Sequence, residues 1–167
     1  LVSSKPKIDK IDLSLKEIDV DKLKKIIIKT KPSSLNSLIV NRIIKGKMQM
    51  NLELFFQENF KLENFILKGS VSKMSVNFKD KLEFKDTSFN FFADSSDIII
   101  KNIKGSTVGV YIKNGSLQFI KGKDIKINSE FTSEINLAGV DIKRYLPMLK
   151  NLNFINQDTK LIANIDN

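Results

Sequence analysis

The stretch GKMQMNLELFF, Gly46 to Phe56, decides the fold class of this chain. Every second residue from Met48 to Phe56 is apolar, and the alternate residues Lys47, Gln49, Asn51 and Glu53 are polar. Successive side chains of a β-strand point to opposite faces of a sheet, so this alternation predicts a strand with one apolar and one hydrated face. The apolar face must then contact either the protein's own core or an apolar ligand.

The same period of two continues through most of the chain that follows. Turn signals divide it into runs, at Asp80–Lys81, Asp94–Asp97, Lys104–Gly105, Asn114–Gly115 and Gly122. Asn114–Gly115 is the strongest signal, because both residues tolerate the positive φ angles of a type I′ hairpin. The run from Ile125 to Leu137 has one strictly polar face, which is typical of a sheet open to water on one side. Hairpin-linked runs of this kind predict an antiparallel meander.

Short helices are predicted before and after the meander. Apolar residues recur at helical spacing over Val20–Ile27, where Asp19 or Asp21 can cap a helix. A second helix is predicted from about Ser34, and a third from Asp141.

We therefore predict a mainly β chain of the α+β class. Its core is a long antiparallel β-meander that forms a twisted, open, groove-like sheet with two or three short helices. Residues 1–45 are predicted to hold a strand and two short helices, residues 46–140 the antiparallel sheet of the groove segment, and residues 141–167 a short helix and the start of another strand at Lys160.

The composition excludes several kinds of site. The chain has no His and no Cys, which excludes Cys–His and Ser–His nucleophiles and thiolate or histidine metal sites. Its carboxylates are scattered, so we expect no enzyme and no cofactor. The net charge is +9, but of 28 basic residues only Arg42 and Arg144 are arginine, the residue that phosphate and base recognition favours. We therefore expect lysines on solvated faces and no nucleic-acid partner.

The ends of the sequence indicate a chain that is either processed or a piece of a longer protein, and we favour the second. The chain begins with Leu1, has no leader segment before it, and stops within a strand-like pattern. No apolar run approaches the ~18 residues of a membrane span. A membrane anchor is therefore expected in parts of the parent chain outside these residues.

The order of elements resembles the AsmA-like superfamily, whose members include AsmA, TamB and YhdP. The similarity is best from Ser34 to Leu149 and rests on Gly, Asn-Gly and alternation patterns. The similar segments are SLNSLIVNRIIKG (34–46), LENFILKGSVSKMSVNF (62–78), FKDTSFNFFADSSDIIIKNIKGSTVGVYIKNGSLQF (84–119) and FTSEINLAGVDIKRYLPML (131–149).

This resemblance implies a lipid-conducting function. AsmA-like proteins are long β-sheets folded into an open groove, anchored in the inner membrane of Gram-negative bacteria and reaching across the periplasm. The implied partner is the acyl chains of phospholipids moving between the inner and outer membranes, with headgroups in water. The sequence does not locate the headgroup contacts: Lys47, Lys126 and Arg144 are candidates, and the favoured alternative is that they are ordinary solvated side chains. The groove candidates are Met48, Met50, Leu52, Leu54, Phe65, Leu67, Val108, Val110, Ile112, Ile125, Ile127, Phe131, Ile135 and Leu137.

The residues themselves leave alternatives open. The same sheet could close on itself as a structural or scaffolding β-domain of the cell envelope, in which Met48 and Met50 would be ordinary core residues. A basic nucleic-acid-binding module would need aromatic residues on its basic face, and Tyr111 is the only aromatic residue expected on a polar face.

Overall fold

The computed structural model describes residues 8–29, 37, 40–77, 83–122, 124–138, 141 and 160–166, the last segment by its backbone alone. Its elements are β1 (Lys10–Asp19), α1 (Val20–Ile27), β2 (Ile43–Phe56), β3 (Leu62–Asn77), β4 (Glu83–Ala93), β5 (Asp97–Thr107), β6 (Val110–Ile120), β7 (Lys126–Ala138) and β8 (Lys160–Asp166). The eight strands form one sheet in sequence order, and every neighbouring pair is antiparallel. The prediction of a mainly β antiparallel meander is confirmed.

Several predicted elements are found where the sequence placed them. Strand β1, helix α1, the long strand β7 and strand β8 are all present. The predicted turn at Asp94–Asp97 joins β4 to β5, and the Asp94 carboxylate accepts hydrogen bonds from the Ser96 and Asp97 backbone amides, both at 2.8 Å. The turn at Asp80–Lys81 and most of the second and third predicted helices lie outside the described residues.

Two predicted turns are wrong. Asn114–Gly115 lies inside β6, and Lys104–Gly105 lies inside β5. The β5–β6 turn is at Val108–Gly109 instead, where Gly109 has a φ of 68°. The glycine at 115 has another cause: a Cβ there would lie 2.4 Å from the Phe131 ring of the next strand. Gly115 therefore makes room for an aromatic ring and does not form a turn.

Helix α1 follows β1 directly and packs against β1 and β2. Asp19 is the N-cap residue, with an extended backbone (φ −69°, ψ 138°), but its side chain makes no capping hydrogen bond. Val20 is the buried residue of the helix, with 3% of its surface exposed. Lys24 and Lys25 lie in the last turn, where positive charge interacts favourably with the helix dipole.

A line of β-bulges crosses six neighbouring strands. Each of β1 to β6 has one extra residue relative to a neighbouring strand. In strand order, the extra residues lie between Leu15 and Ile18, between Ile43 and Lys45, near Lys73, near Asp86, near Asn102, and between Ile112 and Asn114. Lys73, Asp86 and Asn102 adopt left-handed φ angles of 51°, 49° and 56°. Bulges bend a strand and increase its twist, so the sheet changes direction along this line.

Very little of this sheet is deeply buried. Among the described residues, the buried apolar side chains are Val20, Val71, Met74 and Leu137. The chain exposes 12398 Å² of surface, whereas a compact monomer of its mass exposes roughly 8,400 Å². In the described part of the chain, no second layer covers the sheet and forms a closed core.

Candidate functional site: an uncovered apolar face

Cross-strand pairing places apolar side chains of seven strands on one side of the sheet. Residues directly opposite each other in a ladder point to the same face. One row of such pairs runs Leu13, Leu52, Leu67, Ala93, Ile98, Phe119 and Ile127. The next runs Leu15, Met50, Gly69, Phe91, Ile100, Leu117 and Ser129. We call this side the apolar face and the opposite side the polar face.

The bulges keep this face continuous along each strand. In β1, Leu15 pairs with Met50 and Ile18 pairs with Met48, although Leu15 and Ile18 are three residues apart. In β3, Val71 and Met74 are likewise three apart and both face the side of Phe89 and Thr87. An extra residue would otherwise turn the rest of the strand to the wrong face. At each bulge, successive residues of the apolar face are therefore three positions apart along the strand instead of two.

The apolar face is partly exposed over most of its area. Leu13 and Ile127, at its two sides, are 52% and 61% exposed, and the central residues are half-buried. No Lys, Arg, Asp or Glu lies in its interior within the described strands. At about 32 Å² per residue on a face, it measures on the order of 1,200 Å². The largest apolar patch on a typical soluble monomer is about 300–600 Å².

Aromatic rings fill the glycine positions of this face. A Cβ on Gly69 would lie 2.6 Å from the Phe91 ring, and Gly115 relates to Phe131 in the same way. Phe89 and Phe91 meet edge to face, with ring centroids 6.4 Å apart. Rings lying over Gly69 and Gly115 cover these two positions with aromatic carbon, whereas Thr87, Ser129 and Ser133 place hydroxyl groups on the same face.

The polar face is held by ion pairs across strands. Glu53 of β2 accepts from Lys10 of β1 at 2.8 Å and from Lys68 of β3 at 3.4 Å. Lys113 pairs with Glu134 at 2.9 Å, and Lys47 pairs with Glu17.

These ion pairs shift the pKa values of their side chains in the directions expected for opposite charges in contact. The hydrogen bonds from Lys10 and Lys68 lower the pKa of the Glu53 carboxyl, and the same contact, together with Asp12, raises the pKa of Lys10. Glu17 raises the pKa of Lys47.

At one end of the sheet, a lysine extends over the apolar face. Lys121, which follows β6, places its ammonium 5.9 Å from the Phe65 ring and donates to the Asp94 backbone carbonyl at 3.3 Å. The pKa of Asp94 is lowered, first by the hydrogen bond from the Asp97 backbone amide and then by those from Ser96. This end therefore offers a cation beside the apolar surface.

The structure places most predicted site residues on one surface. All but two of the groove candidates lie on the apolar face. Val108 is in the β5–β6 turn, and Ile125 precedes β7 and is 69% exposed. Of the proposed headgroup contacts, Lys47 and Lys126 lie on the polar face, and Arg144 lies outside the described residues.

The groove candidates leave out three strands of the face. They omit β1, β4 and β5, which contribute residues of both rows, among them Leu13, Phe91 and Ile100. Alternation in the sequence predicts strands at these positions, but none of their residues was included among the candidates. Phe55 and Phe92 also lie on the polar face, where Tyr111 was expected to be the only aromatic residue.

Other kinds of site find less support in the described residues. Two shallow depressions of about 230 and 350 Å³ share the polar-face residues Lys101, Ser116 and Glu130. No cluster of acidic residues in the described ranges could hold a metal ion, and no described helix is long and apolar enough to cross a bilayer.

Comparisons with protein-family models, with curated proteins and with solved structures found no match to this chain.

Proposed function

We propose that the apolar face binds the acyl chains of phospholipids, and that this chain is a segment of an AsmA-like, inner-membrane-anchored periplasmic protein carrying phospholipid between the two membranes. The observation that supports the proposal is the extent of the face: mostly apolar side chains across seven strands, half-buried at the centre and exposed at the sides, with the described helix α1 in contact with β1 and β2. Water contact of a surface this large is unfavourable, at roughly 25 cal/mol per Å².

The chemistry of the face fits a long and mobile apolar ligand better than a specific small molecule. It offers no charged group in its interior, so it can fix no headgroup there. Met48 and Met50 contribute flexible, polarisable side chains that adapt to a moving chain. Acyl chains could slide along such a surface without breaking hydrogen bonds, while the headgroups stay at its margins in water.

Lipid mass spectrometry on the chain tests this proposal. The chain is expressed in a bacterial periplasm, purified without detergent and extracted, and its phospholipid content is measured. We expect bound phospholipid in the wild type and its loss in Leu52→Asp, which places a charge in the middle of the face.

The matched control is Asn51→Asp, which adds the same charge one residue away, on the polar face. This variant should keep its lipid. A lipid-free, monomeric wild type that unfolds cooperatively would reject the proposal and favour the scaffolding β-domain. Equal loss of lipid from both variants would also reject it, because lipid binding would then not depend on the apolar face.

A further inference from the structure

The two ends of the sheet differ in charge. The helix end is where the β1–β2, β3–β4, β5–β6 and β7–β8 connections lie; the turn end is where the β2–β3, β4–β5 and β6–β7 connections lie. Among their described residues, the helix-end connections contain five Lys and Arg against two Asp and Glu, whereas the turn-end connections contain two Lys against three Asp and Glu. In the described part of the chain, the helix end is therefore the more basic of the two.

Helix α1 concentrates this charge in the described part of the helix end. Lys24 pairs with Asp21 at 3.7 Å, which offsets the helix's one acidic side chain. Lys22, Lys25 and Lys29 have no ion pair within the described ranges. At 100° per residue, Lys22 and Lys25 lie on the side of α1 opposite buried Val20, and Lys29 follows in the turn after the helix. The charges of Lys22 and Lys25 are thus directed away from the sheet.

Apolar side chains flank these lysines without being buried. Ile26 is 56% exposed and Ile28 is 66% exposed, and both lie at the end of α1. Ile44 and Val108, 42% and 52% exposed, lie at the same end of the sheet. A solvated basic helix does not require isoleucine at its most exposed positions. Exposed aliphatic residues among lysines are the composition of a helix that lies on a lipid surface.

We propose that the helix end docks on the surface of an anionic lipid bilayer, with Lys22, Lys25 and Lys29 facing the phosphates and Ile26 and Ile28 entering the headgroup layer. The partner is identified by charge complementarity, since the surface combines unpaired ammonium groups with apolar side chains. If the apolar face binds acyl chains as proposed above, docking would place one end of that face at the membrane from which the acyl chains enter. This consequence rests on the proposed function. The docking itself does not require lipid on the face.

Sedimentation with vesicles tests the docking. The probes are vesicles of phosphatidylcholine alone and of phosphatidylcholine with about one third phosphatidylglycerol, an anionic surface of the kind that attracts lysines. We expect binding to the anionic vesicles only. Replacing Lys22, Lys25 and Lys29 together by Gln should lower the partition coefficient roughly 100-fold, since each lysine near an anionic surface contributes about fivefold. The Ile26→Ser/Ile28→Ser double variant should weaken binding by roughly tenfold or more.

The matched control replaces three exposed lysines of the polar face, Lys68, Lys101 and Lys104, by Gln. It removes the same charge but should leave binding nearly unchanged. Equal losses in both triple variants would show that only net charge matters and would overturn the proposal. Failure to bind anionic vesicles, or equal binding to neutral ones, would also overturn it.

A second readout separates this proposal from the proposed function. Binding of a fluorescent fatty acid in vesicle-free solution should be unchanged in the α1 lysine variant and lost in Leu52→Asp. If the chain docks on vesicles but does not bind fatty acid, only the proposed function of the apolar face is rejected. If it binds fatty acid but does not dock, only the docking proposal is rejected.

Discussion

Leu52 and Glu53 are neighbours on β2, yet their surroundings are unlike. Leu52 lies between Leu13 and Leu67 on the apolar face and is half-buried. Glu53, on the polar face, receives hydrogen bonds from Lys10 and Lys68 of the two adjacent strands. The polar face thus has its partners within the chain, whereas the apolar face has partners only at its sides. The difference identifies the apolar face as the surface that lacks a covering layer in the described part of the chain.

The largest effect we expect comes from the few buried residues of the sheet. Met74 is 8% exposed and contacts the backbone of the Gly46 region, whereas Met50 on the same face is half-buried. Met74→Ala should lower the free energy of unfolding by about 2–4 kcal/mol, as for other buried Met-to-Ala changes. Urea unfolding followed by circular dichroism measures this change.

Met50→Ala is its matched control, with the same atoms removed from an open surface. Met50→Ala should lower the free energy of unfolding by only about 1 kcal/mol, because Met50 already contacts solvent in the folded chain. Equal costs for Met50→Ala and Met74→Ala would mean that the face is covered by a core, and the comparison of the two faces would fail.

A smaller effect is expected from filling the glycine beneath an aromatic ring. In Gly115→Ala, the new Cβ would lie 2.4 Å from Phe131, so the ring must shift. Overpacking of this kind lowers the free energy of unfolding by about 1–3 kcal/mol. Thermal unfolding should show a lowered midpoint.

The control for this change is Gly122→Ala, in the connection after β6. The nearest atom to its new Cβ is the Asp124 carbonyl oxygen at 3.4 Å, so its effect should stay within about 0.5 kcal/mol. A neutral Gly115→Ala would show that the Phe131 ring does not lie over this position.

The same glycine shows where sequence reasoning fails. Asn114–Gly115 satisfies the local chemistry of a hairpin, but its glycine is required by a ring on another strand, and a single sequence does not show that contact. Alternation predicted the strands and their antiparallel order because it depends on local geometry alone, but the groove candidates drawn from it omitted the residues of β1, β4 and β5. The bulges could not be predicted, since a shift of one in the apolar spacing, as between Val71 and Met74, has the same pattern as a strand boundary.

The turn between β4 and β5 provides a pH-dependent test at the turn end. Backbone amides of Asp97 and Ser96 lower the pKa of Asp94 below its unfolded value. The carboxylate therefore stabilises the fold fully above the unfolded pKa of about 3.9, and this contribution is lost as the pH falls through the lower folded pKa. The difference in melting temperature between the wild type and Asp94→Asn should be present at neutral pH and disappear in acid. A difference that does not change with pH would contradict this role of the charge.

The smallest effect is expected on the polar face itself. Glu53→Gln removes the charge that joins Lys10 to Lys68, and the lowered pKa of Glu53 shows that the ionised form is favoured in the fold. Exposed ion pairs are screened by water and salt, so the melting temperature should fall only slightly, and less at high ionic strength than at low. A loss as large as that of Met74→Ala, or one insensitive to salt, would mean that the polar face stabilises the sheet. The apolar face would then need no ligand to explain its exposure, because the sheet would be held together from the opposite side.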